Sequence, residues 1–109
     1  MNKPSILIYS HNPEEGLLKE ICAGIEEEGI PYEVVLQDYQ DITALSYHSA
    51  NDSILGTGIG ICEQKCRLTL SNLPKDQSVF YLEQPQTQQA RNFGANAARA
   101  VKKKAFKEA

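Results

Sequence analysis

The sequence predicts a three-layer α/β fold on a mixed five-stranded sheet with one antiparallel strand, and three observations carry that expectation. Short apolar runs alternate with amphipathic helical segments in the order β-α-β-α-β-β-β-α, which implies right-handed crossovers on a largely parallel sheet. The first run, Ser5 to Ser10 (SILIYS), is almost continuously apolar, the form of a strand covered on both faces, and belongs at the sheet centre. Two later runs, Leu55 to Cys62 (LGTGIGIC) and Cys66 to Leu70 (CRLTL), are joined by Glu63 to Lys65, which can turn the second into an antiparallel partner. At 109 residues the chain is expected to be one domain over residues 1–109. A chain of this size buries roughly two-thirds of its unfolded surface.

After the first strand, Asn12 is expected as N-cap with Pro13 at the first helical position and Glu15 at the third, where a capping box places its acid. Leu17, Leu18, Ile21, Cys22 and Ile25 then form one apolar stripe that docks on the sheet. Gly29 is the expected left-handed cap, and Pro31 prevents continuation. Tyr32 to Gln37 reads as the second strand, and Asp41 to about Ala50 as a weaker helix with Ile42, Leu45 and Tyr47 or His48 inward. Alternating Gly56, Gly58 and Gly60 suit a strand closely approached by other backbone. Ser78 to Leu82 is the fifth strand. The closing helix, about Thr87 to Lys104, has an inner stripe of Ala90, Phe93, Gly94, Ala97, Ala100 and Val101, small enough to sit close to the sheet.

Glu26, Glu27 and Glu28 occupy the last turn of the first helix, the negative end of the macrodipole, where each exposed acid is unfavourable by roughly 0.3–1 kcal/mol. At about 100° per residue, Glu27 lies roughly 150° from the centre of the apolar stripe, Glu26 about 110° and Glu28 about 50°. Glu27 therefore looks outward. Glu20 shares that face one heptad earlier, and Ala23 and Gly24 between them are expected to make a low outward patch that another surface can approach. Two readings of the cluster stand open: a solvated charge run, or one oxygen ligand for a hard cation whose remaining ligands come from a partner.

The bulk properties narrow the functional classes. A formal net charge of −3 and a pI near 5.3 disfavour nucleic acid and anionic membranes as main partners. Lys102, Lys103 and Lys104 are expected in the last helical turn, where the dipole favours cations. No apolar span and no export signal is legible, so a cytoplasmic protein with reduced thiols is expected; Cys22, Cys62 and Cys66 are an odd set, and the C-x3-C spacing of the last two lacks further zinc ligands nearby. The glycine run lacks the lysine and hydroxyl of a phosphate loop. His11, in the loop after the first strand, could be a phosphoacceptor or a general base, and more often such a residue is a turn histidine. No Ser/His/Asp or Cys/His arrangement can be read from spacing.

GIEEEGIP (Gly24 to Pro31), GIGI (Gly58 to Ile61), LP (Leu73, Pro74) and RNFGANAARAVK (Arg91 to Lys102) resemble, in order and spacing, the small subunit of diol/glycerol dehydratase reactivase, across almost the whole chain. YSHNPEEG (Tyr9 to Gly16) and Phe93, where leucine is expected, depart from the family pattern. The resemblance implies a non-catalytic subunit whose large partner is an actin-like ATPase, expected as two large plus two small subunits, with ATP or ADP on the large subunit alone. The complex would release damaged cobalamin from the B12-dependent dehydratase. The implied mechanism is subunit exchange: the small subunit shares the fold of the dehydratase medium subunit, also seen in class II synthetase anticodon-binding domains, and trades places with it under nucleotide control. The middle acid of the turn, Glu27, is then implied as a Mg²⁺ ligand shared with the large subunit, with Glu20, Ala23 and Gly24 beside it at the interface. The location implied is cytoplasmic, with a bacterial microcompartment as the expected association. The competing expectations are a small phosphocarrier with His11 as acceptor and a flavodoxin-shaped binding module with a cleft at the strand ends.

Overall fold

In a computed structural model, which describes residues 3–108, the elements run β1 (Ile6–His11), α1 (Glu15–Glu27), β2 (Tyr32–Leu36), α2 (Ile42–Asp52), β3 (Thr57–Cys62), β4 (Lys65–Leu70), β5 (Phe80–Glu83) and α3 (Thr87–Lys102). The sheet order is β2-β1-β3-β4-β5. β1 pairs in parallel with β2 and β3, while β4 runs antiparallel to both β3 and β5, so β4 is the single reversed strand. The expected element order and the mixed sheet hold, but the central strand is β3: β1, expected at the sheet centre, lies one strand off it, flanked on its two sides by β2 and β3.

Alternation along the strands divides the core. Ile6 and Ile8 of β1 and Ile59 and Ile61 of β3 lie on one face with Leu17, Ile21 and Ile25 of α1 and Phe93 and Ala97 of α3, all buried. Gly58 and Gly60 face the other way, onto α2. A Cβ on Gly58 would lie 2.1 Å from Ala50 N, and one on Gly60 would lie 2.6 Å from Ser46 N. The backbone expected near this strand is therefore that of α2. Its inner face is Leu45, Ser46, Ser49 and Ala50; Tyr47 is half-buried, His48 exposed, and the helix runs two residues past the expected end, to Asp52. Serine suits this surface because its hydroxyl is satisfied locally: Ser49 Oγ donates to Ser46 O at 2.8 Å.

Several boundaries move for local reasons. Asn12 is not the N-cap of α1; it takes a left-handed conformation (φ 49°), and the helix starts at Glu15 with Glu14 as cap. The Glu14 carboxylate accepts from Leu17 N–H at 2.8 Å and Gly16 N–H at 3.1 Å, while Glu14 N–H donates to Glu63 O at 3.0 Å. The chain leaving β1 thus spends Asn12 and Pro13 in turning past the β3–β4 turn. β5 begins two residues later than expected. At the other end of α1, Glu28 caps the helix and Gly29 is left-handed (φ 76°), as expected.

The small residues of α3 bring it close to β3, as expected, and closer still to α1. A Cβ on Gly94 would stand 2.0 Å from Ile21 O, and one on Gly24 would stand 2.0 Å from Arg91 O, so α1 and α3 touch backbone to backbone. Both helices cover the same face of the sheet, and the buried arc of α1 must therefore serve a neighbouring helix as well as the sheet. This corrects the outward patch expected at Ala23 and Gly24: Gly24 is buried beneath α3 and Ala23 is half-buried.

Candidate functional site: the acidic turn and its arginines

The three acids at the end of α1 separate into three different environments. Glu26 accepts from the hydroxyl of Tyr32, and this bond, followed by burial, pushes the Tyr32 phenol up. Glu28 receives Lys102 Nζ at 2.7 Å and Arg99 Nε at 3.1 Å, and its side chain is only 9% exposed. The Lys102 hydrogen bond, with Arg99 beside it and against the opposing effect of burial, holds the Glu28 carboxyl below the usual glutamate range. Lys102 Nζ also donates to the Glu28 main-chain carbonyl at 2.8 Å. The cations that a helix C-terminus favours are thus supplied by α3 across the interhelix contact.

Glu27 is outward in the structure as well as on the helical wheel, its side chain 47% exposed, although Glu26 is exposed too, and Glu27 Oε2 takes Arg91 Nη1 at 3.2 Å. The same guanidinium is held by Glu20 through Nε at 2.9 Å and Nη2 at 2.7 Å. Arg91 therefore sits between Glu20 and Glu27, anchored by two bonds to the first and one longer bond to the second. Gly24 lies under this bridge, because the Arg91 carbonyl is what its absent Cβ makes room for. Arg91 and Arg99 were missed as site residues. Their partners are 64 to 71 residues away in sequence, and helical spacing carries no signal over that distance.

Glu27 alone fits a one-ligand share of a Mg²⁺ site. Among the described residues no group of three His, Cys, Asp or Glu side chains is placed to hold a metal. Mg²⁺ needs about six oxygens in octahedral geometry, so the other ligands would have to come from water and a second chain. Glu27 can give up its single Arg91 bond without freeing the guanidinium, since Glu20 retains it.

Other candidates lie elsewhere. His11 ends β1 at the opposite end of the sheet, its Nδ1 2.9 Å from the Gln37 carbonyl. An open cleft of about 720 Å³ at that end is lined by Asn12, Glu14, Glu63, Lys65, Glu83 and Gln84. Cys22, Cys62 and Cys66 are free thiols, and burial pushes Cys66 up to about 12, far from a reactive thiolate. No helix among the described residues is long and apolar enough to cross a membrane.

The fold and the sequence define the class. The model of the family described as dehydratase medium subunit matches residues 3–107, and the chain belongs to that family. Within it the chain aligns with the small subunits of dehydratase-reactivating factors. It is 37% identical over 106 residues to the propanediol dehydratase-reactivating factor small subunit of Salmonella typhimurium, covering 96% of this chain and 91% of that one. The diol dehydratase-reactivating factor small subunit of Klebsiella michiganensis is 35% identical, with 96% and 85% covered. A solved structure of diol dehydratase-reactivating factor complexed with ADP and Mg²⁺ superposes with a TM-score of 0.93 at 32% identity, covering 98% of this chain and all of the other. A glycerol dehydratase reactivase structure gives 0.92 at 30% identity, with 97% and 98% covered.

Proposed function

We propose that this chain is the non-catalytic small subunit of an ATP-dependent reactivase that frees a B12-dependent diol or glycerol dehydratase of damaged cobalamin. It acts in the cytoplasm, in association with a bacterial microcompartment, as two small subunits with two large actin-like ATPase subunits. The chain has the fold of a dehydratase medium subunit, and that supports an exchange mechanism: it occupies the large subunit until nucleotide state releases it, and the dehydratase medium subunit takes its place. The single observation that carries this reading is the identity over 106 residues to small subunits of reactivating factors, 37% and 35%.

In this reading Mg²⁺ is shared with the large subunit, Glu27 would be the ligand from this chain, and the ion would supply positive charge to offset its carboxylate. The residues of this chain do the rest. Glu27 offers a carboxylate oxygen from a rigid helix end; Glu20 keeps Arg91 in place while Glu27 turns to the partner; Glu28, locked by Arg99 and Lys102, fixes the turn. Nucleotide belongs to the large subunit. The reading is tested by co-purifying this chain with its large subunit and titrating the pair with dehydratase. The expected result is a stable complex that dehydratase resolves by capturing the large subunit, and failure to co-purify overturns it. The metal assignment has its own test: Glu27→Ala weakens the complex in Mg²⁺ and loses that difference in chelator.

A further inference from the structure

The chain after α3 doubles back along the helix it has just left. Lys103 takes a left-handed conformation (φ 58°), and Lys104 N–H closes on Arg99 O at 2.9 Å. One face of α3 then grips the main chain of the returning segment. Arg99 Nη1 donates to Ala105 O at 3.0 Å, and Asn92 Nδ2 donates to Glu108 O at 2.7 Å. Asn96, fully buried, takes both groups of one residue: its Oδ1 accepts from Lys107 N–H at 2.7 Å and its Nδ2 donates to Lys107 O at 3.1 Å. The spacing 92, 96, 99 sets these side chains in one row on the helix.

All of these bonds go to backbone atoms. An amide that pairs with the N–H and C=O of a single residue imitates a neighbouring strand and recognises an extended chain whatever its sequence. Phe106 adds a side-chain contact, resting edge-on against Phe80 with ring centroids 5.2 Å apart. Apart from these hydrogen bonds the segment buries little: Lys104, Ala105 and Glu108 are exposed, Lys107 is half-buried, and Phe106 itself is 45% exposed. A segment with solvent-exposed hydrogen bonds and little buried apolar area opens well below the free energy of global unfolding.

We propose that the Asn92–Asn96–Arg99 row, with Phe80 beside it, is a docking groove for an extended peptide. In the free chain residues 104–108 fill it, and an extended segment of a partner protein, with an aromatic or large apolar side chain at the place of Phe106, displaces them. Arg99 also holds Glu28, so the groove and the acidic turn share one guanidinium and the exchange of occupant takes place beside the turn. The groove is read from the tail's own contacts and stands whether or not the chain is a reactivase subunit.

Amide hydrogen exchange on the full chain gives the first test. The Lys107 N–H is expected to exchange at least about tenfold faster than the Ala97 N–H inside α3, through local opening. Equal exchange, with both amides released only on global unfolding, would make the tail a permanent clasp and overturn the proposal. The second test titrates a synthetic peptide with the sequence of residues 104–108 into the chain and follows the Asn92 and Asn96 side-chain amide signals by NMR. Phe106→Ala is expected to bind the peptide at least about tenfold more tightly than the unaltered chain, because its own tail competes less. Adding Asn96→Ala removes that binding. A folded Phe106→Ala chain that ignores the peptide also overturns the proposal.

Discussion

The two faces of the sheet are filled by opposite means. Under α1 and α3 the core is aliphatic and aromatic, with Ile6, Ile8, Ile21, Ile25, Ile61 and Phe93 buried, and the helices meet through Gly24 and Gly94. Under α2 it is made of glycine and serine: Gly58 and Gly60 of β3 lie against the helix backbone, and Arg67 of β4, only 6% exposed, donates to Ser46 Oγ at 2.7 Å and to Lys75 O at 3.1 Å. The first face is held by apolar area, the second by close approach and hydrogen bonds. A face of the second kind tolerates very little added volume and no lost partner.

Substitutions that exchange the two styles should have the largest effects. Gly94→Ala and Gly58→Ala each drive a methyl into backbone that cannot move aside, and each is expected to cost about 3 kcal/mol or more in urea unfolding, at the upper end for overpacking. If Gly58→Ala were nearly neutral, α2 would be a loosely laid helix and the contrast would fail. Ser46→Ala removes a partner of the buried Arg67 and is expected to cost about 1–3 kcal/mol, with Ala44→Ser, half-buried on the same helix, as the mild control.

Next comes the ion pair that joins α1 to α3. The Glu28 carboxyl is depressed in the folded state, so its stabilisation is present above the unfolded glutamate value, about 4.3, and is lost as pH falls through the lower folded value. Thermal unfolding followed from pH 7 to pH 3 should show Glu28→Gln less stable than the parent at neutral pH, with the two curves converging in acid. Curves that stay parallel would separate Glu28 from Arg99 and Lys102. The smallest effect on stability is expected at Glu27, where Glu27→Ala should change unfolding by no more than about 0.5 kcal/mol as an exposed substitution, while its effect appears in assembly with the large subunit.

The same contrast explains how much could be read from the chain. The aliphatic face announces itself: Leu17, Ile21 and Ile25 recur at helical spacing, and SILIYS is a run that only a doubly covered strand carries. The glycine–serine face leaves half a signal. Gly58 and Gly60 showed that backbone would come close, and of the residues expected inward on α2 Leu45 is buried; but its serines have no hydrophobic period, so Ser46 and Ser49 stand where Tyr47 or His48 was expected. At the acidic turn, the wheel pointed Glu20 and Glu27 to one face, and they share Arg91. It could not show that α3 lies across Gly24.

Local sequence by itself determined which segments become strands and helices, where most of them stop, and that three acids end α1 with Glu27 pointing furthest from the apolar stripe. Those properties depend on neighbours within a turn or a pleat, and the pattern of side chains records them. Tertiary structure alone decided which helix covers which residue, and therefore that Gly24 is an interhelix contact, that Glu28 is locked by Arg99 and Lys102, and that Asn96 grips the returning tail. Such pairings join residues far apart in the chain through single charges and single amides, which have no period to read until the fold brings them together.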